Sequence, residues 1–150
     1  MSVTAARGFR AAGVAAGIKA SGRPDVALVV NDGPSRAAAG LVTRNRVKAA
    51  PVLWTEQVVK AGRVAAVLLN SGNANACTGP AGFADTHRSA ELVGELLDVG
   101  AADVAVCSTG IIGVRLPAER LFAGIRAAHA ALSPQGGPNA AEAIMTTDTV

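Results

Sequence analysis

Two short apolar runs break directly into glycine and small polar residues, and no other feature of the chain restricts its fold as much. Residues 64–69 run into Asn70-Ser71-Gly72-Asn73-Ala74-Asn75-Ala76-Cys77-Thr78-Gly79. Residues 104–107 run into Ser108-Thr109-Gly110-Ile111-Ile112-Gly113. A continuous apolar run of this length, bounded by turn residues, reads as a strand buried on both faces. Such strands belong to layered sheets covered by helices, and ligands there gather at the carboxyl ends of the strands. Backbone N–H groups and hydroxyls at such a bend can face a developing negative charge. The two junctions together read as one side of a site for an acyl or carboxylate group.

The rest of the pattern fits one α/β, layered domain over residues 1–150. Residues 26–30 form a third buried strand between turn signals, and 9–18 a strand or irregular edge. Residues 38–43 are expected to form a strand paired with 26–30 as an antiparallel hairpin. Helices are expected from Pro51 to near Gly62, over 83–99 with a stop at Gly100, from Pro117 past Leu121, Phe122, Ile125, Ala128 and Leu132, and over 140–145. Residues 70–82 are expected to form a long loop. With three Phe, one Trp and no Tyr, the core has to be built from Val, Leu, Ile and Ala.

Charge and cysteine content exclude several function classes. The net charge is +3, and the nearest approach to a basic cluster is Arg44, Arg46 and Lys48. Single-strand readers need aromatic platforms, which are missing, so a solvated basic loop is favoured over a nucleic-acid site. No apolar run is long enough to cross a bilayer as a helix. Neither nucleic acid nor membrane is expected as a partner. Cys77 and Cys107 do not make a disulfide framework, and no secretory leader is visible, which points to the cytoplasm. No spacing of His, Cys, Asp and Glu suggests a metal site, and no bound cofactor is expected.

Three groups are candidates for chemistry. A Thr109 hydroxyl and a Gly110 amide can form an oxyanion hole, with Ser108 beside them. The competing reading is an ordinary turn whose hydroxyls satisfy nearby backbone groups. Asn73 and Asn75 can build a supporting hydrogen-bond network, or belong to a solvated loop. Thr146, in the polar run after the last helix, can contact a substrate, or cap a helix end. A lone hydroxyl is a poor nucleophile without a base. His87 reads as partly solvated and His129 as a packing residue. Gly110-Ile111-Ile112-Gly113 lacks the leading GxG of a dinucleotide fingerprint.

The sequence resembles the ornithine acetyltransferase family, also called bifunctional glutamate N-acetyltransferase and amino-acid acetyltransferase, of arginine biosynthesis. The resemblance rests on SGNANACTG at 71–79, STGIIG at 108–113 and AIMTTDT at 143–149, in that order. Weaker support comes from GFRAAG at 8–13, LVTRN at 41–45 and VKAAPV at 47–52, although the family more often has Phe where Val42 stands.

The resemblance implies acetyl transfer from N-acetylornithine to glutamate, with acetyl-CoA as a further donor in many members. It implies a self-cleaving precursor whose new terminal threonine is the nucleophile. It also implies an α2β2 heterotetramer and an αββα-type sandwich like that of N-terminal-nucleophile hydrolases. By the same resemblance Thr109 and Gly110 form the oxyanion hole and Thr146 contacts substrate. No threonine here sits in the expected cleavage context, so the 150-residue chain is expected to be the incomplete α segment and inactive alone. The alternatives are an inactive folding or assembly module and a nucleotide-binding domain. Unpaired strand edges and uncovered apolar faces are expected to make the segment prone to aggregate.

Overall fold

The computed structural model describes residues 2–147. Four strands form one sheet: β1 (Phe9–Val14), β2 (Val26–Asn31), β3 (Ala66–Asn70) and β4 (Val104–Ser108), in the order β1-β2-β3-β4. β1 with β2 and β2 with β3 pair antiparallel, while β3 and β4 run parallel. The connection between the parallel pair is a helix, α2 (Gly79–Leu97), as parallel strands require. The other α-helices among the described residues are α1 (Ala50–Val58), α3 (Ala118–Ala130) and α4 (Gly137–Ile144).

Period-two alternation divides the sheet into two faces. On one face Ala12, Val26, Leu28, Val30, Ala66, Leu68, Val104 and Val106 pack with Leu92 and Val93 of α2 and Leu121 and Ile125 of α3. Complete burial of a Leu such as Leu28 or Leu68 stabilises by roughly 1.5–3 kcal/mol. The other face carries the short helix α4, whose Ala140 and Ala143 rest on Ala11 and Ala27. Small residues let this helix sit close: a Cβ on Gly13 would lie 2.0 Å from the Asn139 carbonyl oxygen.

Each edge of the sheet is covered in part, where open edges are expected from the sequence. Trp54 of α1 donates its indole N–H to the Val104 carbonyl at 2.9 Å. Thr55 donates its hydroxyl to the Val106 carbonyl at 2.7 Å and accepts the Val106 N–H at 2.9 Å. The outer edge of β4 is thereby bonded by side chains, leaving less unpaired backbone to template aggregation. At the opposite edge, Ala11 of β1 and Ser133 exchange backbone hydrogen bonds at 3.0 Å each.

Several expected boundaries move. Residues 38–43 are not a strand. β2 already pairs with β1 on one side and β3 on the other, so it offers no free edge. The neighbouring Ala37 makes only an isolated bridge to Arg63, and Leu41 is fully exposed. The loop after β3 ends at Thr78 instead of Gly82, because Pro80 opens the first turn of α2 where its missing N–H costs nothing. That helix stops at Asp98, which takes the left-handed conformation (φ 54°) and donates its N–H to the Gly94 carbonyl, two residues before Gly100. Phe83, in the first turns of this helix, is 39 % exposed and meets Trp54 edge-on at 6.3 Å. Thr86 and Ser89 are buried in that helix, their hydroxyls turned onto the backbone carbonyls of Gly82 and Asp85. Arg44 and Arg46 are exposed, and Lys48 pairs with Glu56 at 2.9 Å.

Candidate functional site

Because β3 and β4 are parallel neighbours, the two polar junctions leave the sheet side by side. Asn70 and Ser108, the last residues of the two strands, are direct pairing partners. Asn70 then joins the loops with three bonds. Its side-chain oxygen accepts the Ser108 hydroxyl at 2.6 Å, its side-chain amide donates to the Asn73 carbonyl at 2.8 Å, and its carbonyl accepts the Thr109 N–H at 3.0 Å.

The first loop is folded inward. Asn73 donates to the Val114 carbonyl at 3.1 Å and accepts the Asn75 N–H at 2.8 Å. Asn75, left-handed at φ 47°, donates to the Gly82 carbonyl at 2.8 Å and to the Thr86 hydroxyl at 2.9 Å. It also accepts the Thr78 hydroxyl at 2.7 Å, so the loop is welded onto the start of α2. Ser71, Asn73 and Asn75 are buried, and both asparagines are hydrogen-bonded within the protein. A solvated loop would have left these amides in water.

The second loop is laid against the first. Gly110 has φ 130°, and a Cβ there would stand 2.4 Å from the Gly72 carbonyl carbon and 2.6 Å from the Asn73 nitrogen. Only glycine admits that crossing. Backbone bonds from Ile111 to the Gly72 carbonyl, Ala74 to the Ile111 carbonyl and Gly113 to the Ala76 carbonyl hold the two segments together. Ile111 and Ile112 are turned outward, at 63 % and 65 % exposure.

Thr109 and Gly110 therefore sit at the carboxyl end of the sheet, and both are exposed. The Thr109 hydroxyl makes no hydrogen bond among the described residues. The two tighter cavities, of about 250 and 230 Å³, lie elsewhere, one around Leu53, Thr78, Pro80 and Phe83 and one around Phe9, Val29 and Val67.

Thr146 follows α4 and is exposed, while Asp148 and Thr149 lie outside the described residues. The segment carrying Thr146 is reached from the first loop, because the buried Ser71 hydroxyl donates to the Ala143 carbonyl at 2.5 Å. Asn70, Ser71 and Gly72, which do most to join these pieces, belong to the junction that the sequence marks but receive no individual role from it. Asn70 and Ser71 carried a signal nonetheless, as polar residues closing a run that is otherwise wholly apolar.

The remaining reactive groups are occupied or lie apart. His87 packs against Trp54 with ring centroids 4.9 Å apart and the planes tilted by 55°, and its Nδ1 is 3.8 Å from Glu91. His129 is half-buried near the end of α3. Cys77 and Cys107 are free thiols. Although Cys107 reaches solvent, the packing around it pushes its thiol pKa up, away from the thiolate. The Gly110–Gly113 turn does not open a helix, since α3 begins only at Ala118, so it lacks the N-terminus that cradles a pyrophosphate.

Comparison with known proteins places this geometry. The ArgJ family pattern matches residues 10–150. The chain belongs to the ArgJ family. It is 66 % identical over 150 residues to the arginine biosynthesis bifunctional protein ArgJ of Streptomyces coelicolor, and 63 % identical over 157 aligned positions to the ArgJ of Mycobacterium tuberculosis. The alignments take in 100 % and 99 % of this chain but only 39 % and 38 % of those relatives, so it spans about two fifths of their length. Among solved structures, it matches the ornithine acetyltransferase of Mycobacterium tuberculosis, crystallised with ornithine, at a TM-score of 0.98 and 62 % identity, covering 99 % of this chain and 81 % of that one. It matches the ArgJ of Bacillus halodurans at 0.90 and 38 %, covering 100 % and 78 %. The α/β layering of this ArgJ segment is thus that of the ornithine acetyltransferase architecture expected from its motifs. Among its described residues, no helix is long and apolar enough to cross a membrane.

Proposed function

We propose that this ArgJ segment forms the oxyanion side of an acetyl-transfer site that moves acetyl from N-acetylornithine to glutamate. The observation that carries the proposal is the crossing of Gly110 over Gly72, which fixes the Thr109–Gly110 turn while leaving the Thr109 hydroxyl unspent. Donors held in place before reaction lower the barrier without reorganising during it.

The chemistry is a double displacement. The hydroxyl of a threonine on the cleaved β segment attacks the acetyl carbonyl of N-acetylornithine, with its own α-amine taking the proton. The carbonyl oxygen becomes an oxyanion facing the Thr109 hydroxyl and the Gly110 N–H. The C–N bond breaks, the proton passes to the ornithine amine, and an acetyl ester remains on the enzyme. The glutamate amine then attacks that ester through a second oxyanion at the same donors; the ester C–O bond breaks, the proton lost by the glutamate amine returns through the α-amine to the threonine oxygen, and N-acetylglutamate leaves. Thr146 would contact the bound amino acid, and Asn73, Asn75 and Ser108 hold the donors in position. The β segment would supply the missing wall over the exposed pair, in an α2β2 assembly. The two free thiols suit a reducing cytoplasm.

The test is expression of the reading frame continued to full family length, followed by intact mass and an acetyl-transfer assay. Cleavage into two chains and turnover of N-acetylornithine with glutamate are expected, lost in Thr109→Ala. No turnover is expected from residues 1–150 alone. Acetyl-CoA offered in place of N-acetylornithine decides whether this member takes a second donor. Turnover undiminished by Thr109→Ala in the full-length protein would overturn the oxyanion assignment.

A further inference from the structure

Ser71 has no room and no contact with solvent, yet it joins three separate segments. Its N–H donates to the carbonyl of Asp25, at the entrance to β2, at 2.9 Å. Its hydroxyl donates to the carbonyl of Ala143, 72 residues away in α4, at 2.5 Å. The next residue, Gly72, is the one that Gly110 crosses.

The Ala143 carbonyl is one of the last four of α4, which find no partner inside a helix. Immediately beyond, Met145 turns extended (ψ 142°) and the chain leaves towards Thr146. The Ser71 hydroxyl therefore holds the helix end from which Thr146 departs.

The base under Ser71 is rigid as well. The Asp25 carboxylate, fully buried, accepts backbone N–H bonds from Ala16 at 2.7 Å, Ile18 at 2.6 Å and Lys19 at 2.9 Å. The Lys19 backbone lies against Gly72, where a Cβ would meet the Lys19 nitrogen at 3.4 Å. One short stretch, Asn70-Ser71-Gly72, thus touches the Thr109–Gly110 turn on one side and the root of the Thr146 segment on the other.

We propose that Ser71 is a positioning residue that sets the distance between the oxyanion donors and the Thr146 substrate contact. This rests on the site reading given above. Loss of its hydroxyl frees the end of α4 to shift, which displaces Thr146 while leaving Thr109 and Gly110 in place. The effect belongs in substrate binding, not in the chemical step.

The experiment uses the full-length, cleaved enzyme and measures KM and kcat for N-acetylornithine. Ser71→Ala is expected to raise KM about tenfold while changing kcat about threefold or less, since small misplacements cost heavily at such sites. Ser89→Ala is the control: it removes an equally buried hydroxyl bonded to a backbone carbonyl, but within α2, and leaves KM unchanged. In a Thr146→Ala background the Ser71→Ala effect on KM is expected to shrink to about twofold or less, as coupled residues are non-additive. An unchanged KM in folded Ser71→Ala, or full additivity with Thr146→Ala, overturns the proposal. If Ser71→Ala does not fold, Ser71→Cys puts a weaker donor in the same place. It is expected to give a KM above the wild-type value by about threefold or more, and a wild-type KM there overturns the proposal too. Failure of Thr109→Ala and Thr146→Ala to affect turnover would instead remove the site reading itself.

Discussion

Two loops leave neighbouring parallel strands at the same end of the sheet, and they use their polar groups in opposite ways. In the loop after β3, the amides of Asn70, Asn73 and Asn75 are all bonded within the protein, and the three residues are buried. In the loop after β4, Thr109 and Gly110 are exposed, and the Thr109 hydroxyl is bonded to nothing among the described residues. A buried amide without a partner costs about 1–3 kcal/mol, so the first loop has no freedom to serve a ligand. The second is free to do so because the first holds it still. On the proposed reading one loop is scaffold and the other carries the chemistry, although both are rich in the same small polar residues.

The largest expected effect comes from the point where the loops touch. Gly110→Ala places a Cβ 2.4 Å from the Gly72 backbone at φ 130°, so both properties fail together. Transfer activity of the full-length protein is expected to disappear, with a stability loss of about 3 kcal/mol. Near-normal melting and turnover would show that the crossing is soft. Thr109→Ala separates the two loops' roles: activity is expected to fall roughly 100- to 1000-fold, with the melting temperature unchanged because the hydroxyl bonds no described residue. A matching drop in stability would put Thr109 among the scaffold.

Asn75→Ala probes the other side of the contrast. It removes three side-chain hydrogen bonds at a buried site, so a urea midpoint shift equivalent to about 2–3 kcal/mol is expected. Substrate KM in the protein that remains folded should stay near wild type, and a large KM change with little destabilisation would reverse the assignment.

The smallest effect lies outside both loops and gives a baseline for ordinary surface polarity. The hydrogen bond from Arg10, which outweighs the opposing cost of burial and is helped by the attraction of its charge, holds the Asp32 carboxyl below the usual carboxylate range. A pKa depressed in the folded state means that the pair stabilises fully above the ordinary carboxylate value, about 3.9, and less as pH falls through the folded value. Asp32→Asn should therefore cost under about 1 kcal/mol at pH 7, the pair being partly exposed, and still less below about pH 4. A difference that grows on acidification would contradict this sign.

The elements that were legible share one property: the local sequence decided them. Residues 26–30, 64–69 and 104–107 are apolar runs between turn residues, and they became β2, β3 and β4 with shifts of a residue or two. Pro51, Pro117 and the Leu121, Ile125 and Ala128 stripe marked helices in the same way. Residues 38–43 misled because their apolar content satisfied the local pattern, while both edges of β2 were taken by distant segments. The covering of the β4 edge by Trp54 and Thr55 was equally invisible, since it joins residues about 50 positions apart.

The motifs carried the family, and the alternation of apolar runs with helical stripes carried the α/β class. The motifs also marked Thr109, Gly110, Asn73 and Asn75 as belonging to one region. Which of these groups would be spent on the fold and which left available was a matter of three dimensions. Parallel pairing of β3 with β4 set the loops side by side, and the Gly110–Gly72 crossing, with the Ser71 bond to α4, then settled how each polar atom is used. A hydrogen bond depends on where its partner stands in space, and these partners lie up to 72 positions apart along the chain.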